Sequence, residues 1–66
     1  MTAISILRLS DVINRVGLSR SQIYVLISQS RFPEPIRLSE RTVGWLDTEV
    51  DGWISDRVAE SREVRA

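Results

Sequence analysis

Apolar side chains recur along this chain with two periods. Leu9, Val12, Ile13 and Val16 stand at i, i+3, i+4 and i+7, which is one stripe of a helix. Ser10 is placed to cap that helix, with Asp11 at its positive end and Gly17 suited to a left-handed C-terminal position. A second helix starts at once. Ser19, with Gln22 three residues on, has the spacing of a capping box, and Ile23, Leu26, Ile27 and Ser30 follow as an inward stripe. Phe32-Pro33-Glu34-Pro35 ends it, because each residue before a proline is pushed toward extended geometry.

The period then falls to two. Ile36, Leu38, Val43 and Trp45 alternate with Arg37 and Gly44 around the polar turn Ser39-Glu40-Arg41-Thr42, which predicts a β-hairpin with those four apolar side chains inward. Such a hairpin is marginal alone in water, so it must pack on the helices. Ile4-Ser5-Ile6-Leu7-Arg8 is a candidate third strand. In a last helix, capped by Asp47 with Glu49 in its first turn, Leu46, Val50, Trp53, Ile54 and Val58 share one face, and Asp51, Asp56 and Glu60 share the other. Gly52 costs roughly 1 kcal/mol against Ala in a helix interior, which close approach of the preceding chain would explain. Arg57, Arg62 and Arg65 come late, where the helix dipole favours cations. Trp45 and Trp53 fall at inward positions and are assigned to the core, since single-strand binders need exposed aromatics.

With 66 residues, 42% of them hydrophobic and 27% charged, the chain has the balance of one small globular domain over 1–66, its core spanning about 6–60 and its tail, 61–66, frayed. A chain this short with no staple has a thin stability margin. The absence of Cys and His excludes disulfides, thiol catalysis and the usual zinc ligand sets, and no acids cluster as in a calcium loop, so neither metal nor cofactor is expected. Without Lys as well, acid–base or nucleophilic chemistry would rest on carboxylates or Tyr24, and an enzyme is not expected. No apolar run approaches the roughly 20 residues of a membrane span, and Met1 to Leu9 has no basic head, so a cytoplasmic protein without a signal peptide is expected.

The net charge of zero hides an asymmetry. Residues 1–41 hold six Arg against Asp11, Glu34 and Glu40, a balance of +3, and residues 42–66 hold three Arg against six acids, a balance of −3. A polyanion-facing part and a solvent-facing part would produce this, and so would a chance split in a short chain. All nine basic residues are Arg, which suits bidentate phosphate and guanine contacts and equally fits a GC-rich genome.

Two short helices separated by Gly17-Leu18-Ser19 have the spacing of a helix-turn-helix. The outward face of the second carries Ser21, Gln22, Val25, Ser28 and Gln29, polar but uncharged, with Arg20 and Arg31 at its two ends and no acid between Asp11 and Glu34. Gln pairs bidentately with adenine, Ser bonds either base type, a small aliphatic group touches a thymine methyl, and marginal Arg residues hold phosphates. An ordinary solvated Ser/Gln face is the competing account. Tyr24, at the edge of this face, can pack its ring and offer its hydroxyl to a phosphate. A hairpin beside a recognition helix is a wing, from which Arg37 and Arg41 can reach backbone or an adjacent minor groove; a plain solvated turn is the alternative, favoured by Glu40.

Together, Leu9-Ser10-Asp11-Val12, Gly17-Leu18-Ser19-Arg20-Ser21, Ile23-Tyr24, Arg31-Phe32-Pro33-Glu34-Pro35 and Val43-Gly44-Trp45-Leu46 resemble the AlpA family of phage regulatory proteins over about residues 6–57. The resemblance implies an α+β fold, a small winged helix-turn-helix like those of MerR-type and excisionase domains, with three helices and a β-hairpin wing. It implies a double-stranded DNA partner, met by Ser19, Arg20, Ser21, Gln22, Tyr24, Val25, Ser28, Arg31, Arg37 and Arg41. It also implies a role as transcriptional regulator or excisionase of a prophage or island, nucleoid-associated when bound, with an integrase or further copies on adjacent sites as partners. The chain departs from the family pattern at Val25, where a basic residue is common, at Ser30, where Gly is common, and at Ser39-Glu40-Arg41, where the turn is usually richer in Gly. The alternative function is a small protein-binding module, such as an anti-activator, docking through the acidic last helix.

Overall fold

The computed structural model describes residues 4–65, and their side chains as far as Arg62. In chain order the elements are β1 (Ile6–Leu7), α1 (Leu9–Val16), α2 (Arg20–Ser28), β2 (Ile36–Arg37), β3 (Val43–Leu46) and α3 (Asp47–Arg65). Three helices and a small three-stranded sheet make the expected α+β winged helix-turn-helix. The candidate third strand is present as β1. β3 lies at the centre of the sheet, antiparallel to β1 and to β2. Helix α1 is the hub of the packing, touching α2, α3, β1 and β3, whereas β2 leans on β3.

Directly opposed residues of antiparallel strands share a face. Leu7 is opposite Trp45, and both are buried; they form the core with Val12, Ile23, Phe32 and Val50. Ile36 is opposite Gly44, so it lies on the other face and is 37% exposed, and Leu38 is 44% exposed. The expectation that both point inward with Val43 and Trp45 is therefore corrected. Alternation holds within each strand, but the pairing sets β2 one residue out of phase with that expectation. Arg37, opposite Val43, takes the core-side phase beyond the edge of the core and stays exposed. Gly44 is needed where it is. A side chain there would meet the Ile6 side chain, with Leu38 Cδ1 and the Leu7 carbonyl oxygen 3.1 Å away.

The helix ends show how local chemistry sets each boundary. The N-cap of α1 is Arg8, not Ser10, because the Asp11 carboxylate reaches back to accept the Arg8 amide at 3.2 Å and starts the helix two residues earlier. Gly17 closes α1 at φ 75°, its N–H donating to the Ile13 carbonyl at 2.9 Å. Helix α2 ends in a full Schellman arrangement. Ser30 N–H donates to the Ile27 carbonyl and Arg31 N–H to that of Leu26, with Ser30 itself left-handed at φ 59°. Ser30 is thus an exposed closing residue rather than part of the inward stripe.

In α3 Val50 is buried and Trp53 and Ile54 half-buried, but Val58 is 42% exposed, since the helix has by then run past the core. Asp47 does not spend its carboxylate on its own helix. It accepts the Ser5 amide at 3.1 Å while its own N–H donates to the Ser5 carbonyl, which extends the β1–β3 pairing. Nothing approaches Gly52, so close approach does not explain that glycine. Arg15 on α1 bonds Asp51 on α3 at 2.7 Å. Arg57 pairs with Glu60 and stacks on Trp53, and the helix continues to Arg65. The tail expected to fray, 61–66, falls partly outside the described residues.

Candidate nucleic-acid interface

The outward face of α2 is held in place from both ends. At the start, the Ser19 hydroxyl accepts the Gln22 amide at 3.2 Å and Gln22 Oε1 accepts the Ser19 amide at 2.9 Å, the reciprocal box that its spacing predicts. At the far end the segment 31–35 has no regular secondary structure, yet two indoles fix it. Trp53 Nε1 donates to the Arg31 carbonyl at 2.8 Å and Trp45 Nε1 to the Pro33 carbonyl at 3.0 Å. Between them the buried Phe32 packs edge-on against Trp53, with ring centroids 5.0 Å apart. Both tryptophans therefore do more than fill space. They set where the chain leaves α2 and turns toward the wing.

Ser19, Arg20, Ser21, Gln22, Tyr24, Val25 and Ser28 are gathered on the start and outer side of α2, open to solvent, with exposed Arg31 just beyond its end. The Arg20 guanidinium lies 5.9 Å from the centre of the Tyr24 ring, so that ring supports the cation, and Tyr24 is 39% exposed. Some polar capacity is already spent. Gln22 Oε1 is held by the cap, leaving its amide NH₂ free, and the Ser28 hydroxyl donates to the Val25 carbonyl at 2.7 Å. Arg37 and Arg41 are exposed on β2 and at the wing tip. They are not packed against α2, and the indole-held segment sets their relation to it. The wing turn is closed by Leu38 and Ser39 amides donating to the Thr42 carbonyl at 2.8 and 3.2 Å.

Charge is distributed unevenly over these positions. Among the described residues, the ion pairs are Arg15–Asp51 and Arg57–Glu60. Among those same residues Arg20, Arg31, Arg37 and Arg41 have no acidic partner and remain available to a polyanion. The acids of α3 lie on a different element.

One residue beside this face carries no signal in the sequence. Leu18, in the turn, joins Ser21, Gln22, Val25 and Leu26 around an open groove of about 370 Å³ beside the start of α2. A turn residue lies on no periodic stripe, so periodicity carries no signal for it. Among the described residues there is no group of three or more acids that could hold a metal ion, and no helix long and apolar enough to cross a membrane.

A family model described as "Prophage CP4-57 regulatory protein (AlpA)" matches residues 5–58. The chain is 43% identical over 53 residues to the uncharacterized protein ORF88 of enterobacteria phage P4, a match covering 80% of this chain and 60% of that protein. It is 36% identical over 62 residues to the DNA-binding transcriptional activator AlpA of Escherichia coli K12, covering 85% of this chain and 89% of that protein. No solved structure matches it. A winged helix-turn-helix fold and a family match over most of the chain lead to one assignment: this chain belongs to the AlpA family of prophage regulatory proteins.

Proposed function

We propose that this protein binds specific sites on double-stranded DNA, with α2 in the major groove and the wing on neighbouring backbone or minor groove. The observation that carries the reading is the uncharged outer face of α2, bounded by Arg20 and Arg31, neither of which has an acidic partner among the described residues. Phosphates take the arginines and base edges take the face between them. The E. coli relative, named a DNA-binding transcriptional activator, supports the same reading. The role is control of prophage or island genes, as a transcriptional regulator or as an excisionase acting beside an integrase or beside further copies of itself on adjacent sites.

Salt dependence of binding tests this. If Arg20, Arg31, Arg37 and Arg41 each neutralise one phosphate, the logarithm of affinity falls against log salt with a slope of about −3.6. Absence of duplex binding at low salt overturns the proposal. Comparing an integrase attachment region with the promoter beside it separates excision from transcription.

A second reading has one specific observation in its favour. Glu49 and Asp56 border a groove of about 480 Å³ between α3 and the segment 30–33, alongside Trp53. Arg31 lines the groove as well, so the two carboxylates exceed its cation by one charge, which suits a basic protein segment. Charge reversal at Glu49 and Asp56 that leaves DNA affinity intact but abolishes regulation in cells would favour it.

A further inference from the structure

We propose that the groove between Leu18 and Val25 seats the 5-methyl group of a thymine, so that one base of the site is read by apolar contact rather than by hydrogen bonding. The inference rests on α2 being the DNA-facing helix and names what part of that helix recognises.

Val25 stands in the middle of the α2 outer face and is 52% exposed. Its neighbours one turn away on that face are Ser21 and Ser28, so it is an apolar island among small polar groups. Leu18 rises from the turn and Leu26 from the flank to complete an apolar wall, with Ser21 and Gln22 at the rim. The groups that would otherwise read bases here are partly committed. Gln22 Oε1 holds the Ser19 amide and the Ser28 hydroxyl holds the Val25 carbonyl. What this face offers at its centre is therefore hydrocarbon.

Charge decides which hydrocarbon comes to it. Arg20 opens α2 and Arg31 follows its end, and no acid occurs from residue 12 to residue 33. A partner must bring anionic flanks and a small apolar projection between them. The major groove of B-DNA has that pattern, phosphates on either side and, among its base edges, one alkyl group, the thymine methyl. The groove opens to solvent on the α2 surface, so a methyl group can reach its apolar lining from outside.

The test uses the full chain and a duplex site selected from random sequence, with affinity read by fluorescence anisotropy. Each thymine of the site is replaced in turn by deoxyuridine, which removes the methyl and leaves every base-pairing group in place. At one thymine per bound protein, affinity should fall about fourfold, as expected for one buried carbon. The fall should vanish in Val25→Ser, whose exposed position and similar helix propensity leave the melting temperature close to that of the parent. Cytosine at the same position should weaken binding, and 5-methylcytosine should recover part of the loss. Specific binding with no deoxyuridine-sensitive thymine overturns the inference while leaving DNA binding intact. So does a deoxyuridine penalty that persists unchanged in Val25→Ser, which would place the methyl elsewhere. If Val25→Ser leaves DNA affinity unchanged but abolishes self-association, the groove belongs to a second copy and the inference fails. Absence of any duplex binding at low salt overturns both this inference and the function beneath it.

Discussion

Replacing Gln22 by Glu separates two uses of one side chain, its capping of α2 and its availability to a base. Gln22 Oε1 accepts the Ser19 amide at 2.9 Å, and a carboxylate oxygen can do the same. The first turn of α2 holds no acid, so Glu there also gains about 0.3–1 kcal/mol from the helix dipole. Folding stability should hold or rise by that amount, a shift of up to about 7 °C for a domain of this size. DNA binding should move the other way. A bidentate adenine contact is worth about 1–3 kcal/mol, but Gln22 must first open a cap bond worth about 0.5–1.5 kcal/mol. The net is about 1 kcal/mol, all of it lost in Glu, and the new charge adds about 1 kcal/mol of repulsion from each close phosphate. Affinity should therefore drop about 30-fold or more. Gln22→Ala is the complement. It loses the cap oxygen, destabilising by about 1 kcal/mol, and weakens the selected site more than a scrambled one. Thermal melts followed by tryptophan fluorescence, with anisotropy on selected and scrambled duplexes at one salt concentration, read both effects. A Gln22→Glu protein that binds as tightly as the parent refutes the reasoning, since the start of α2 would then not face DNA.

Four further outcomes are expected. Ser30→Gly relieves a left-handed non-glycine residue and should stabilise by about 1 kcal/mol in a urea titration; no gain would mean that the free-chain entropy of glycine cancels the relief. Gly52→Ala adds a methyl to open space in the middle of α3 and should raise stability by about 0.5–1 kcal/mol with no change in DNA affinity, as calorimetry and anisotropy would show. Trp53→Phe keeps most of the packing against Phe32 but removes the bond to the Arg31 carbonyl; it should cost about 1 kcal/mol of stability and weaken DNA binding, and unchanged affinity would confine the indole to a structural role. Arg41→Ala should leave the melting temperature nearly unchanged yet lower affinity, more so on A·T-rich flanks, while Glu40→Gln tightens binding at low salt; if neither alters affinity, the wing does not touch DNA.

Local signals in the sequence translate well where the partner is a few residues away. The Ser19–Gln22 box, the Gly17 stop and the stripes through Val12 and Ile23 all lie where their spacing places them. Errors arise where the partner is distant or competes. Ser10 loses the cap of α1 because Asp11 reaches Arg8. Asp47 looks like a helix cap until Ser5, 42 residues away in sequence, takes its carboxylate. The phase of β2 against β3 cannot be read from either strand alone, since only the pairing puts Ile36 opposite Gly44. At the candidate interface the face of α2 was legible from composition. Leu18 and the two indole tethers were not, since they depend on how the turn and α3 fold back.

Those tethers also govern the order in which the molecule becomes competent. Trp45 and Trp53 reach back across 12 and 22 residues to hold the segment after α2. Helices α1 and α2 are joined by local contacts and can form early, but contacts that span such loops close later, after more chain entropy has been surrendered. During synthesis α2 and the wing both emerge before Trp53 does. A chain interrupted in between would carry every arginine of the candidate interface without the full brace that sets their spacing. The geometry of the candidate interface is therefore tied to completion of α3, which supplies the Trp53 tether.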